Sequence, residues 1–127
     1  AWHRVLSDEV WHLLEGGPLR LLLLSPSMDA IHEVTLAPAG PDTAPRAVVP
    51  AGWWQAAEAA SNFAYVGATV GPGFDFRDFR FARDDAAVSD TIRRLRPDSV
   101  RLLGIGKPPI SALPARAPRP ARRPGPG

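Results

Sequence analysis

Residues 2–81 consist largely of short runs of strand-forming side chains, which Gly, Pro, Ser and Asp separate. Runs of about four to eight residues with alternating apolar and polar side chains are typical of half-buried β-strands. The runs predicted as strands are 2–5, 9–15, 19–25, 31–37, 46–50, 62–71 and 74–81. So many short strands in one chain predict an all-β sandwich or a small barrel.

The last of these runs, FDFRDFRF at 74–81, places phenylalanine first at even and then at odd positions. Because side chains alternate between the two faces of a strand, this change of phase predicts a β-bulge near Arg77–Asp78. We expect the four phenylalanines to lie in the core.

The pattern changes to a helical one in residues 85–104. Val88, Ile92 and Leu95 follow the spacing of one helix face, and Pro97 separates them from a second short helical stretch. The chain is therefore predicted to end its folded part with one or two helices packed on the strands.

Composition limits the class of protein. A chain of 127 residues fits one domain, and we expect this domain to span residues 1–106. Cysteine is absent, which excludes disulfides and thiolate metal sites. No uncharged apolar run approaches the roughly 18 residues of a membrane helix, and no signal peptide is recognisable, so no membrane association and a cytoplasmic location are expected.

The net charge of +2 is divided unevenly along the chain. Residues 1–106 carry ten arginines against thirteen acidic residues, whereas residues 107–127 carry five basic residues and no acid. This second segment also holds seven of the fifteen prolines, so we predict a disordered Pro/Arg-rich tail. It contains no aromatic residue that could stack on bases, and nucleic-acid binding is not expected.

Candidate site residues cluster near the start of the chain. Three candidate residues stand at odd-numbered positions: His3 on the first predicted strand, and Glu9 and Trp11 on the second. Because side chains alternate between the faces of a strand, this shared parity predicts that all three point to one inward face. His12 has the opposite parity and joins them only if a bulge turns it. A histidine and a carboxylate on adjacent strands suit either a transition metal or acid–base chemistry.

These residues and two later blocks resemble a known family. His3, Glu9 and Gly16 resemble the first cupin motif, G…HxH…E…G, which supplies metal ligands in that superfamily. The second motif, PxG followed by a histidine, is matched by PAGWWQ, in which Gln55 stands at the histidine position. The blocks HRVLSDEVWHLLEGGPLRLLLL, VVPAGWWQAA and VGATVGPGFDFRDFRFA resemble one cupin branch, DUF985 or Cupin_5, over residues 2–82.

The resemblance implies a jelly-roll β-barrel, commonly paired as a homodimer, with a pocket in the barrel mouth. Such domains usually begin several dozen residues earlier, so we expect this one to be N-terminally incomplete. The resemblance also implies that Gln55 belongs to the pocket, and we expect Trp53 or Trp54 to form a wall of it, because an indole offers a flat apolar face with one donor. Val5 and Gln55 stand where cupin histidines would stand, so we expect no tightly bound cofactor, although His3, Glu9 and Gln55 remain the candidate ligands of a divalent metal.

Three functions follow as hypotheses. The first is binding of a small polar or sugar-like molecule by His3, Glu9, Trp11, His12, Trp53 and Gln55. This binding could be coupled to epimerase-type proton transfer, with His3 as base and Glu9 orienting it. The second is a metal-dependent oxygenase or isomerase, and the third is a non-enzymatic storage or scaffold dimer whose basic tail docks a partner.

Overall fold

The computed structural model describes residues 1–71 and 75–104, so the predicted tail lies outside the described residues. Eight strands are found in this part of the chain: β1 (His3–Arg4), β2 (Asp8–Gly16), β3 (Leu19–Leu24), β4 (Ile31–Leu36), β5 (Arg46–Val49), β6 (Trp54–Ala59), β7 (Ala64–Gly71) and β8 (Arg80–Phe81). One α-helix, α1 (Ala86–Leu95), and three 3-10 helices accompany them (Phe76–Asp78, Ala82–Asp84 and Pro97–Leu103). The predicted all-β class with late helices is confirmed.

The strands form two antiparallel sheets. A five-stranded sheet has the order β4-β3-β6-β1-β8, and a three-stranded sheet has the order β5-β2-β7. In the larger sheet His3 is the direct partner of Gln55, and Leu23 pairs with Gln55 from the other side. In the smaller sheet Glu9 pairs with both Val49 and Val70.

The five-stranded sheet is buried on both faces. One face packs against the small sheet through the inner core, formed by Trp11, Leu19, Leu21, Leu23, Leu36 and Val49. The other face packs against α1 and the last 3-10 helix through Trp2, Leu22, Leu24, Trp54, Ala56, Ala82, Val88, Ile92 and Leu103. This double burial explains why β3, LRLLLL, is a continuous apolar run rather than an alternating one.

Helix α1 begins where the sequence predicts. The Asp85 side chain caps it by accepting a hydrogen bond from the Val88 amide at 3.1 Å. Val88 and Ile92 are fully buried against the large sheet, and the helix ends before Pro97, which begins the next 3-10 helix. None of the helices among the described residues has the length and apolar character that a membrane crossing requires.

The structure differs from the sequence-based expectation in two places. Residues 54–59 form β6, a central strand that was not predicted, because three alanines and a glutamate in WQAAEA have little strand propensity. Pairing on both sides with β1 and β3 overrides that weakness. Residues 74–81 do not form one bulged strand, because a 3-10 helix at Phe76–Asp78 takes up the change of phase before β8. Of the four phenylalanines, Phe79 is buried and Phe81 partly buried, while the side chains of Phe74 and Phe76 lie outside the description.

Candidate functional site

His3 is a buried histidine, and one of its two ring nitrogens makes a hydrogen bond. Its side chain is 3% exposed, and Nδ1 lies 2.8 Å from the Ala1 carbonyl oxygen. A carbonyl only accepts hydrogen bonds, so Nδ1 carries the proton in this contact, and in the neutral ring Nε2 keeps a lone pair. Among the described residues Nε2 has no hydrogen-bond partner although it is buried.

The surroundings of His3 favour the neutral ring. The imidazole stacks on Phe79, with ring centroids 5.4 Å apart. Burial lowers the pKa of His3 from 6.5 to about 4, and the hydrogen bond to the Ala1 carbonyl opposes this change. At neutral pH His3 is therefore an uncharged hydrogen-bond acceptor.

A chain of hydrogen bonds joins the two sheets beside His3. The Trp11 indole Nε1–H donates to Gln55 Oε1 at 2.7 Å, and Gln55 Nε2 donates to Glu9 Oε2 at 2.6 Å. All three side chains are buried, and Glu9 is fully inaccessible. The arrangement follows from parity, because Glu9 and Trp11 point inward from β2 while Gln55 points inward from β6.

A cavity of about 240 Å³ lies next to this bridge. It is lined by Ala1, His3, Trp11, Leu19, Ala57, Glu58, Ala59, Ala64 and Val66. Most of these side chains are apolar. The Glu58 carboxylate is held by ion pairs with Arg20 and Arg101, and the hydrogen bond from Arg101 lowers the Glu58 pKa.

The structure brings four of the six predicted site residues together: His3, Glu9, Trp11 and Gln55. His12 lies on the other face of β2, where its Nε2 is 3.4 Å from the Thr69 hydroxyl. No bulge turns it inward, because the register shift in β2 comes only after Leu13. Trp53 packs on the inner core with its ring 6.1 Å from that of His32, and it does not line the cavity.

Small residues that no sequence motif marked give the cavity its space. Ala57 and Ala59 follow Gln55 at intervals of two on β6, and Ala64 and Val66 face them from β7. The signal was present in the parity of Gln55, Ala57 and Ala59. It becomes visible only once 54–59 is known to be a strand.

The donor groups do not fit a metal site of the cupin type. No three His, Cys, Asp or Glu side chains in the described part of the chain are grouped closely enough to hold a metal ion. The Gln55 amide oxygen already accepts from Trp11, and its nitrogen donates to Glu9. Val5 stands where the first cupin motif has its second histidine, and it is buried beside Phe79 in an apolar cluster.

Two facing antiparallel sheets with a polar cluster and a cavity between them define a jelly-roll pocket protein. The chain belongs to the Cupin_5 family, described as Cupin superfamily (DUF985), whose model matches residues 1–82. This confirms the resemblance seen in the three sequence blocks. No curated protein matches the chain.

Two solved structures are similar in fold. A Shewanella oneidensis protein solved by X-ray crystallography is 25% identical, with a TM-score of 0.63; the match covers 80% of this chain and 62% of that protein. A hypothetical protein from Leishmania major is 24% identical, with a TM-score of 0.55, and the match covers 80% and 65% of the two chains. The chain thus spans less than two thirds of the length of either protein.

Proposed function

We propose that this protein binds a small polar molecule in the cavity between its two sheets, with His3 as the principal polar contact. The observation that carries the proposal is the buried Nε2 of His3, which has no partner among the described residues and belongs to a side chain that lines the cavity. Buried polar atoms in native proteins nearly always have a partner, and a bound molecule or water supplies one when the protein does not.

Within the site, the bridge from Trp11 through Gln55 to Glu9 has a positioning role. It fixes the indole that forms one wall of the cavity, and it holds β2 against β6. A wall that is rigid before binding reduces the entropy lost on association.

Binding is better supported than proton transfer. A general base works best with a pKa near the operating pH, whereas burial lowers the pKa of His3 to about 4. Its Nδ1 is oriented by the Ala1 carbonyl rather than by the expected carboxylate. A metal-dependent reaction has still less support, since the donor set does not fit.

The indole resonances offer a direct test. Trp11 lines the cavity, whereas Trp2 and Trp54 lie in the core on the helix side of the large sheet. Titration with phenol, toluene and glucose, followed in ¹H–¹⁵N spectra of tryptophan-labelled protein, is expected to move the Trp11 indole signal and leave those of Trp2 and Trp54 in place. Trp11→Phe assigns the signal. If neither phenol nor glucose moves it, the proposed binding of a polar molecule is wrong.

Homodimer formation is a second part of the proposal. The outer face of the small sheet exposes large apolar side chains: Leu14 (61%), Val48 (56%) and Tyr65 (61%). A sedimentation-velocity experiment on the wild-type protein and on Val48→Lys tests it, with a dimer expected for the former and a monomer for the latter. A monomeric wild type would contradict this part. The cytoplasmic location stays a prediction.

A further inference from the structure

We infer that the pocket selects a small neutral ring molecule that carries a single hydrogen-bond donor, such as a phenol or a ring alcohol, over sugars and over rings without a donor. This inference rests on the proposed function and narrows it to a ligand class. It follows from three properties of the pocket: its size, the nature of its lining and the one-sided hydrogen bonding of His3.

The size of the cavity fits one ring. Its volume of about 240 Å³ lies above the roughly 150 Å³ of an apolar cavity that binds benzene and below the roughly 300 Å³ at which drug-sized ligand pockets begin. A single six-membered ring with one or two substituents matches this space. A nucleotide-linked sugar does not.

The lining disfavours ligands with many polar groups. Six of the lining side chains are aliphatic: Ala1, Leu19, Ala57, Ala59, Ala64 and Val66. The Trp11 N–H is already bonded to Gln55, the Ala1 carbonyl accepts from His3, and the Glu58 carboxylate is engaged in ion pairs with two arginines. A sugar would bury several hydroxyls with few partners, and each unpaired buried group opposes binding.

The hydrogen bonding of His3 defines the remaining requirement. Because Nδ1–H faces the Ala1 carbonyl, Nε2 has only a lone pair to offer. It accepts from O–H or N–H and cannot donate to a carbonyl or an ether. The ligand must therefore bring the donor.

Phenol and toluene provide the decisive comparison, because they have nearly the same shape and differ in a hydroxyl against a methyl group. Isothermal titration of the wild-type protein is expected to show tighter binding of phenol than of toluene or glucose. In His3→Phe the phenol-to-toluene affinity ratio is expected to fall at least fivefold, because that variant removes the buried acceptor. His32→Phe replaces an exposed histidine in the same way and should leave the ratio unchanged.

A second measurement does not depend on the variant folding. In wild-type protein labelled with ¹⁵N-histidine, phenol is expected to shift the Nε2 resonance of His3, and toluene is not. Toluene binding as tightly as phenol, or an Nε2 resonance that phenol leaves unchanged, overturns the donor requirement while cavity binding stands. Tighter binding of glucose than of phenol overturns only the preference for a ring with a single donor over sugars. Failure of all three probes overturns the proposed function as well.

Discussion

Acidification should destabilise this protein through His3, whose pKa is lowered by burial. In the folded state burial lowers the pKa of His3 to about 4, against 6.5 for the free side chain. The unfolded chain therefore binds a proton more readily than the folded one between these two values. By linkage, the stability that the neutral buried ring provides is complete above pH 6.5 and is lost as the pH falls towards 4.

The size of this loss follows from the two pKa values. A pKa difference of one corresponds to about 1.4 kcal/mol, so the full difference of His3 corresponds to about 3 kcal/mol. Between pH 7 and pH 5 the expected loss in unfolding free energy is about 2 kcal/mol, since His3 in the unfolded chain is then almost fully protonated and the folded ring is not. That is a large share of the roughly 5–15 kcal/mol typical of a domain.

Urea unfolding followed by tryptophan fluorescence, at intervals from pH 7 to pH 5, measures this loss. His3→Phe keeps a ring that can stack on Phe79, and it retains His12 and His32, so the difference between wild type and variant isolates His3. Between pH 7 and pH 5 we expect the unfolding free energy of the wild type to fall by about 2 kcal/mol more than that of the variant. Parallel pH profiles would refute the reasoning. If the variant does not fold, an NMR titration of His3 in the wild-type protein replaces the comparison. A His3 pKa at or above 6.5 would then refute the reasoning.

Three further predictions concern the polar bridge and the turns. Gln55→Leu should lower the unfolding free energy by about 2–5 kcal/mol, because it leaves the Trp11 N–H and one Glu9 oxygen buried without this partner; a loss below about 1 kcal/mol in urea unfolding would contradict this. Gln55→His should create micromolar Ni²⁺ or Zn²⁺ affinity by calorimetry, since it places an imidazole between the two motif residues already buried there; no difference from wild type would refute it. Gly16→Ala should destabilise the protein more than Gly52→Ala, although both glycines have positive φ, because a Cβ at Gly16 would lie 2.6 Å from a carbonyl oxygen and one at Gly52 meets nothing closer than 4.0 Å; equal melting temperatures would contradict this.

The positions of most strands along the chain could be predicted from the sequence, because a strand with one exposed face leaves an alternating pattern; their order in the two sheets could not. The pattern located β2, β4 and β5 to within a few residues. A different signal located β3, a short continuous apolar run, which arises because both faces of this strand are buried. The alternating pattern failed at β6, whose alanines have little strand propensity and whose conformation is imposed by its two neighbours.

The candidate site was predictable only in part, because its geometry also depends on residues distant in the sequence. Parity predicted that His3 and Glu9 point inward and that His12 does not, but the expected pairing of their two strands is wrong, because His3 lies on β1 of the large sheet and Glu9 on β2 of the small sheet. The family motifs added Gln55. The hydrogen-bond order from Trp11 through Gln55 to Glu9 depends on how far apart the two sheets stand. That distance is set by packing over many residues and leaves no mark at any one position.

Gln55 explains why this pocket differs chemically from the metal centre that the cupin motifs would build. An amide is both donor and acceptor, so one side chain satisfies the Trp11 indole and the Glu9 carboxylate at once. An imidazole at that position, opposite His3 in the sheet, could not bond the indole N–H and the carboxylate in the same way, because a neutral ring has only one donor and one acceptor nitrogen on opposite sides. With the amide in place, Glu9 and Gln55 are engaged with each other, and the apolar Val5 fills the position of the remaining histidine. His3 is then the one member of the motif set with a ring nitrogen left for a ligand, which is why we expect a neutral hydrogen-bond donor rather than a metal ion to bind beside it.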